Sequence, residues 1–313
     1  MDVDKQNVAI VGAGLIGRAW AVVFARGGWN VRLYDAAPAQ LSAARDLIKQ
    51  ALAEQEHARM LVDARLTLER IAFCEALDDV VVNASWVQEN LPEDVAIKRS
   101  VFAELDRLAL PDAILASSTS AIVASQFTAD LAGRARCLVA HPVNPPHLVP
   151  VVELCGAPWT SAVTLDRARA TMESLGQVPV LVRREIEGFV LNRLQGALLT
   201  EAMRLVADGV ISPDDLDKTV RDGLGMRWSF MGPFETIELN APGGVADYCT
   251  RYSGFYRRLA VDPAPPSVWE GASAERVAAA LGAPLTAVQR DRRTEWRDRR
   301  LLALRRHKLD IEK

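Results

Sequence analysis

"NVAIVGAGLIGRAWAVVFARGGWNVRLYD" runs from Asn7 to Asp35, and its reading decides the fold. A β-branched run, Asn7–Val11, passes into Gly12, Gly14 and Gly17 at the spacing GxGxxG. An apolar stretch, Leu15–Arg26, follows and reads as a helix. A second β-rich run, "NVRLYD", ends in Asp35, 18 residues after Gly17. A GxGxxG alone marks many turns. Between a strand and a helix, with an acid ending the next strand, it is a dinucleotide fingerprint. Gly12 permits the tight turn, Gly14 lets a pyrophosphate approach the backbone, and Gly17 lets helix and strand pack closely. The amides at the helix start, at Leu15 and Ile16, bind phosphate. Asp35 accepts hydrogen bonds from a ribose diol and repels a 2′-phosphate, which favours NAD over NADP. Arg32 and Arg45 lie near it in sequence and pull the other way.

Further β-rich runs are "VVVNASWVQE", "AILASS", "CLVAH", "VPVVEL" and "VPVLV", separated by amphipathic stretches such as Pro38 to about Arg59. Strands alternating with helices predict a doubly wound, mostly parallel sheet of Rossmann type. After "RREIEG" no strand pattern remains. Leu191, Leu194, Leu198, Ala202 and Leu205 share one helix face, ending near Gly209, and Ser212 with Pro213 starts another helix. We therefore expect a cofactor-binding domain at 1–186 and an all-helical domain at 187–313. The 313-residue length fits about two domains at roughly 100–200 residues each.

The net charge of −3 argues against a polyanion binder. The arginine-rich "RDRRTEWRDRRLLALRRHK" has acids interleaved at helical spacing and reads as a solvated helix. Four cysteines without a CxxC spacing read as small buried residues in a reducing compartment. The N-terminus carries acids and enters a strand at once, unlike a signal peptide, and no apolar run approaches a membrane span. The expectation is a cytoplasmic protein with no nucleic-acid or membrane partner and no metal.

A second stretch, "CLVAHPVNPPHLVPVVEL" from Cys137 to Leu154, carries the chemistry. An apolar strand ends in His141, prolines stiffen the turn, and the next strand holds Glu153. A buried carboxylate is costly alone, and a lone histidine in a core is usually satisfied by a carbonyl. Pairing them solves both problems and builds a held general base. "SSTS", Ser117–Ser120, follows another strand and faces the same sheet edge, or else caps the next helix. Asn192 lies in the first helix of the second half, where a solvated amide is the plain alternative.

These motifs, with "QENLPED", Lys98, "GFVLNRL" and "MGPFE", resemble the 3-hydroxyacyl-CoA dehydrogenase superfamily over nearly the whole chain. The resemblance implies His141 as catalytic base, Glu153 as its partner, and Ser120 and Asn192 near the substrate hydroxyl. It implies Glu93, Lys98 and Asn144 on the nicotinamide side of the site, and a homodimer formed through the helical domain. "SSTS", "AHPVNPP" and "DGLGMRWSFMGPFETIELNAPG" resemble one branch that oxidises a sugar acid, L-gulonate, at its 3-hydroxyl. The region after the second strand contains only Lys49 where CoA-binding members are rich in lysine. Arg227, in what reads as an apolar loop, either stacks on Trp228 or clamps a substrate carboxylate. The sequence thus points to NAD-dependent oxidation of a small free 3-hydroxy acid. The alternatives are an acyl-CoA substrate, L-carnitine, and a catalytically silent NAD-binding structural protein.

Overall fold

The structure, a computed structural model, describes residues 6–311. Part of the N-terminal stretch read above, Met1–Lys5, lies outside the described residues.

Strand β1 (Asn7–Val11) leads through the glycines into α1 (Leu15–Arg26), then β2 (Asn30–Tyr34) and α2 (Pro38–His57). Short helix α3 (Ala64–Leu68), β3 (Ile71–Cys74), α4 (Leu77–Val81), β4 (Trp86–Glu89) and α5 (Val95–Leu108) follow. Next come β5 (Ile114–Ser117), α6 (Ser125–Thr128), β6 (Cys137–Pro142), β7 (Val151–Gly156), α7 (Ala162–Ser174) and β8 (Val178–Val182). The eight strands form one sheet ordered β3-β2-β1-β4-β5-β6-β7-β8. All neighbours run parallel except β6 and β7. The order reverses at β1 and β4, and the carboxyl ends of strands flanking such a switch point form the ligand crevice of open α/β sheets.

Alternation along β1 explains the two cores. Val8 and Ile10 face one cluster with α1, α2 and α7, whereas Ala9 and Val11 face another with α4, α5 and α6. Helix α1 is apolar nearly all round and is buried from Ala19 to Ala25, as a helix between sheet and outer helices must be.

Two expectations change here. "VVVNASWVQE" divides, because Leu77–Val81 is helical and only Trp86–Glu89 is strand; β3, "IAFC", escaped the sequence reading. The cysteines are free, but only Cys137 and Cys155 are buried; Cys249 is exposed on its helix.

The remaining elements are helical: α8 (Leu191–Ala207), α9 (Pro213–Lys218), α10 (Gly225–Trp228), α11 (Pro233–Leu239), α12 (Gly244–Ala260), α13 (Gly271–Leu281) and α14 (Ala287–Ile311). Ser212 caps α9 by accepting from the Asp215 amide, and Gly209 after α8 is left-handed, with φ 70°. By contacts, Met1–Asn192 and Thr294–Lys313 form one unit, and Arg193–Arg293 the other. The sequence reading had kept 187–313 together. The end of α14 belongs with the first unit because Arg305 donates to the carbonyls of His147 and Gly176, and Arg306 to that of Ala58.

The glycine turn is tightly built. Gly12 has φ 95°, and a Cβ there would lie 2.9 Å from the Asn90 carbonyl oxygen. A Cβ on Gly17 would collide with the Gly12 carbonyl oxygen, whereas Gly14 faces open space. Gly17→Ala should therefore cost about 1–3 kcal/mol of stability, the usual scale of overpacking. Gly14→Ala, at φ −66°, should leave the melting temperature unchanged. Thermal denaturation of the two variants checks this, and equal losses would refute the assignment of distinct roles.

Candidate active site

The carboxyl ends of β1, β4, β5 and β6 bring the marked residues to one edge of the first unit. At the glycine turn, Asp35 accepts from the Ala13 amide through Oδ2 at 2.8 Å and from the Ala37 amide through Oδ1 at 2.9 Å. The carboxylate is thus fixed beside the loop and keeps lone pairs for a diol. Arg32 donates to the Asp79 carbonyl, and the Arg45 guanidinium stacks 4.2 Å from the Phe73 ring centre. Both arginines that clouded the cofactor reading are held by other partners. Gly14 caps α1 with no side-chain bond, so the first amides of that helix, with open space above Gly14, suit a pyrophosphate.

His141 stands opposite Glu153 in the antiparallel register of β6 and β7. Its Nδ1 lies 2.9 Å from Glu153 Oε2, and both side chains are buried. The other oxygen, Oε1, accepts the amides of Val190 at 2.8 Å and Leu191 at 2.9 Å. Burial raises the Glu153 carboxyl, but the bond from His141 and the amides of Leu191 and Val190 outweigh it. The group is held below its ordinary range. Among the described residues His141 Nε2 has no hydrogen-bond partner, so one ring nitrogen is fixed and the other is available. The Phe189 ring packs 5.6 Å from the imidazole.

The next residue along, Asn192, donates to the Ser120 carbonyl at 2.9 Å. Ser120 sits in a loop held by Glu93, whose Oε1 accepts from the Thr119 hydroxyl and from the amides of Ser120, Ala121 and Ile122. Here too burial raises the carboxyl, and the Thr119 hydroxyl, the Ala121 and Ile122 amides and the Lys98 charge together lower it further. A continuous set of contacts therefore runs from His141 through Glu153, the start of α8, Asn192 and Ser120 to Glu93. Asn144 is exposed in the turn after β6. Leu15 and Ile16 occupy the first turn of α1.

Two expected residues are placed differently. Lys98 is 1% exposed, with its ammonium 3.0 and 3.1 Å from the Glu89 carboxylate and 3.4 Å from Ser117 Oγ. It lies beneath the site and does not line its surface. Glu89, which the sequence reading passed over, also accepts from Ser117 Oγ at 2.5 Å and the Leu91 amide at 2.6 Å. A full set of partners is what lets a carboxylate stand at 0% exposure. Arg227 lies in helix α10, not a loop, and is exposed, so its charge requires no buried anion. Among the described residues it has no ion pair and does not stack on Trp228. Phe189, with φ 47°, was also missed; the only sequence signal was Gly188 before it.

Residues 7–186 match the NAD-binding domain of 3-hydroxyacyl-CoA dehydrogenase, and residues 188–277 match its C-terminal domain. The chain belongs to the 3-hydroxyacyl-CoA dehydrogenase family. It is 42% identical to lambda-crystallin of Oryctolagus cuniculus over 308 residues, 96% of each chain. It is 39% identical to an L-carnitine dehydrogenase/betainyl-CoA thioesterase of Rhizobium sp over 242 residues, 77% of this chain and 48% of that protein. Among solved structures it resembles a 5-formyl-3-hydroxy-2-methylpyridine 4-carboxylic acid 5-dehydrogenase, an NAD-dependent dismutase. The TM-score is 0.83 and the identity 32%, covering 96% of this chain and 98% of that one. The class is thus an NAD-dependent dehydrogenase of this family, with NAD as its cofactor. No group of metal-ligating side chains occurs among the described residues, and no helix there is long and apolar enough to cross a membrane.

The fixed Asp35 carboxylate carries a prediction. With Asp35 as the ribose-diol acceptor that the sequence predicts, Asp35→Ser would remove a charge-assisted contact, about 1.5–3 kcal/mol or roughly 10- to 150-fold in NAD affinity. It also removes the repulsion of a 2′-phosphate. The ratio of kcat/KM for NAD over NADP should fall sharply. A wild-type enzyme that uses both cofactors equally would refute the role.

Proposed function

We propose that the chain oxidises the 3-hydroxyl of a small free 3-hydroxy acid, with L-gulonate as the leading substrate and 3-dehydro-L-gulonate as product. The observation that carries the proposal is the buried His141–Glu153 pair with Nδ1 fixed and Nε2 available. Bound NAD supplies the hydride acceptor. His141 Nε2 takes the hydroxyl proton, and Glu153 offsets the imidazolium charge that results. The Ser120 hydroxyl and the second amide hydrogen of Asn192 hold the oxygen as it becomes a carbonyl. Gly12, Gly14, Leu15, Ile16, Gly17 and Asp35 hold the dinucleotide. Glu93 keeps the Ser120 loop in place beside the nicotinamide, Asn144 borders the same region, and Lys98 supports it from below.

Support for a free acid over a CoA thioester comes from two places. Lys49 is the only lysine in helix α2 and its surroundings, where acids roughly balance the bases, and Arg227 carries an exposed charge without an acidic partner among the described residues. We assign Arg227 to the substrate carboxylate. A panel of L-gulonate, L-carnitine, 3-hydroxybutyrate and 3-hydroxybutyryl-CoA with NAD tests both statements. L-Gulonate should give the highest kcat/KM. His141→Gln should lower kcat about 100-fold or more while NAD affinity changes little. Arg227→Met should raise KM for the free acid roughly 10- to 150-fold, and much less for its methyl ester. No NADH from any acid, alongside tight NAD binding, would leave a structural NAD-binding protein. Preference for the CoA thioester would overturn the substrate class.

We also assign cofactor binding to 1–186, and substrate contact and assembly to the helical part, as a homodimer. Tyr252, Phe255, Tyr256 and Leu259 form a stripe at helical spacing on α12, each two-fifths to one-half exposed. An apolar stripe of this kind needs a cover, and a second copy supplies one. Light scattering should give twice the chain mass, and Phe255→Asp with Leu259→Asp should halve it; a monomeric wild type would sink this assignment. The proposed setting is the cytoplasm, in keeping with the four unpaired cysteines.

A further inference from the structure

We propose that Arg305, near the end of the chain, is a positioning residue for the His141–Glu153 pair; the proposal rests on the function proposed above. The connection Val143–Pro150 joins the strand that carries His141 to the strand that carries Glu153. Pro145, Pro146 and Pro150 have no N–H to anchor it. Its own bonds are few: the amides of Leu148 and Val149 donate to the Pro145 carbonyl, and Val143 to Val151. The middle is held from outside by three side chains. Gln177 Nε2 donates to the Pro146 carbonyl at 3.1 Å, Arg26 to the His147 carbonyl at 3.1 Å, and Arg305 to the same His147 carbonyl at 2.8 Å.

Arg305 controls more than its own contact. Its second nitrogen donates to the Gly176 carbonyl at 3.1 Å, in the left-handed turn just before Gln177. One planar guanidinium therefore fixes the loop and the backbone that presents another of its clamps, a two-carbonyl bridge that an ammonium cannot reproduce. Neither Arg26 nor Arg305 has an ion pair among the described residues; Arg26 is shared with Gln55 Oε1 at 2.8 Å, whereas the hydrogen bonds of Arg305 go to the two carbonyls. The His147 ring tolerates both cations because burial, and then the nearby arginines, push its pKa down to about 3 and keep it neutral. Loosening the His147 carbonyl releases the loop that leads from Pro142 to Val152, the register pair next to His141 and Glu153. The result is a shift of the imidazole relative to the substrate rather than a loss of cofactor binding.

The neighbouring Arg306 supplies the control. It anchors the same helix through the Ala58 carbonyl at 2.8 Å, away from the loop. In the full-length protein with its best acid substrate, Arg305→Met should lower kcat roughly 10- to 100-fold, the scale of a misplaced catalytic group. KM for NAD should stay within about twofold. Arg306→Met should lower the melting temperature without that loss of kcat. Arg305→Lys, which restores one donor, should fall between wild type and Arg305→Met, and it serves if the methionine variant does not fold. The ring nitrogen NMR signals of His141, assigned through His141→Gln, should move in the Arg305 variants and not in Arg306→Met. Equal kcat losses at both arginines, in step with melting temperature, would overturn the proposal, as would an unmoved His141 signal. If wild type oxidises none of the acids, the proposed function fails, and the His141 signals still decide the positioning role.

Discussion

The carboxylate of Glu153 is the constraint on which the rest of the site depends. An unpaired buried carboxylate is among the most costly groups a fold can hold, and Glu153 is 2% exposed. The protein satisfies it completely: the imidazole takes one oxygen and two backbone amides take the other. Each partner fixes a different part of the chain. The imidazole requires β6 and β7 to pair in the register that sets His141 opposite Glu153, and a one-residue slip would send the side chains to opposite faces. The amides require α8 to begin where it does, and that start delivers Asn192 to the Ser120 carbonyl. One acid thereby orders the sheet edge, a helix start and the Ser120 loop.

The same device recurs nearby in two forms. Glu93 gathers three amides and a hydroxyl of the Thr119–Ile122 loop on one oxygen. Glu89 is neutralised beneath the edge by Lys98. The three acids differ in what they leave open. Glu89 meets an ammonium, a hydroxyl and an amide and is wholly enclosed. Glu93 keeps an oxygen free towards solvent. Glu153 passes its influence outward through an imidazole whose second nitrogen is unoccupied. Only the last arrangement holds a side chain by one nitrogen and leaves a second nitrogen available to a reacting group.

Much of this was legible in the sequence where local pattern and tertiary need agree. The glycine turn forces its own geometry, so α1 was read to its residue limits. His141 and Glu153 were paired on paper because an apolar strand leaves an acid no other partner. The failures have several physical causes. Lys98 is expected to line the nicotinamide side of the site, and its ion pair with the buried Glu89 places it beneath. Strand β3 has four residues at the sheet edge, too short for a periodic signal. Arg227 reads as a loop residue within the apolar "GLGMRWSFMG", whereas the chain there continues through a π turn into α10. The return of α14 to the first unit depends on bonds from Arg305 and Arg306 to carbonyls more than 120 residues away, which no local pattern reveals.

The backbone at Gly188 and Phe189 shows what holding Glu153 requires. Both are left-handed, with φ 74° and 47°. Glycine adopts that conformation freely, but phenylalanine does so at a cost of about 1–2 kcal/mol. The conformation turns the chain so that the next two amides, Val190 and Leu191, both reach Glu153 Oε1. Hydrogen bonds to a charged group contribute about 1.5–3 kcal/mol each, so the two together outweigh the strain. The Phe189 ring adds to the balance by its complete burial against the second core cluster and beside the His141 imidazole. A glycine in its place would relieve the backbone and lose both that burial and the wall against the imidazole. The strained residue is an aromatic because the same position must aim two amides at the acid and close one side of its histidine.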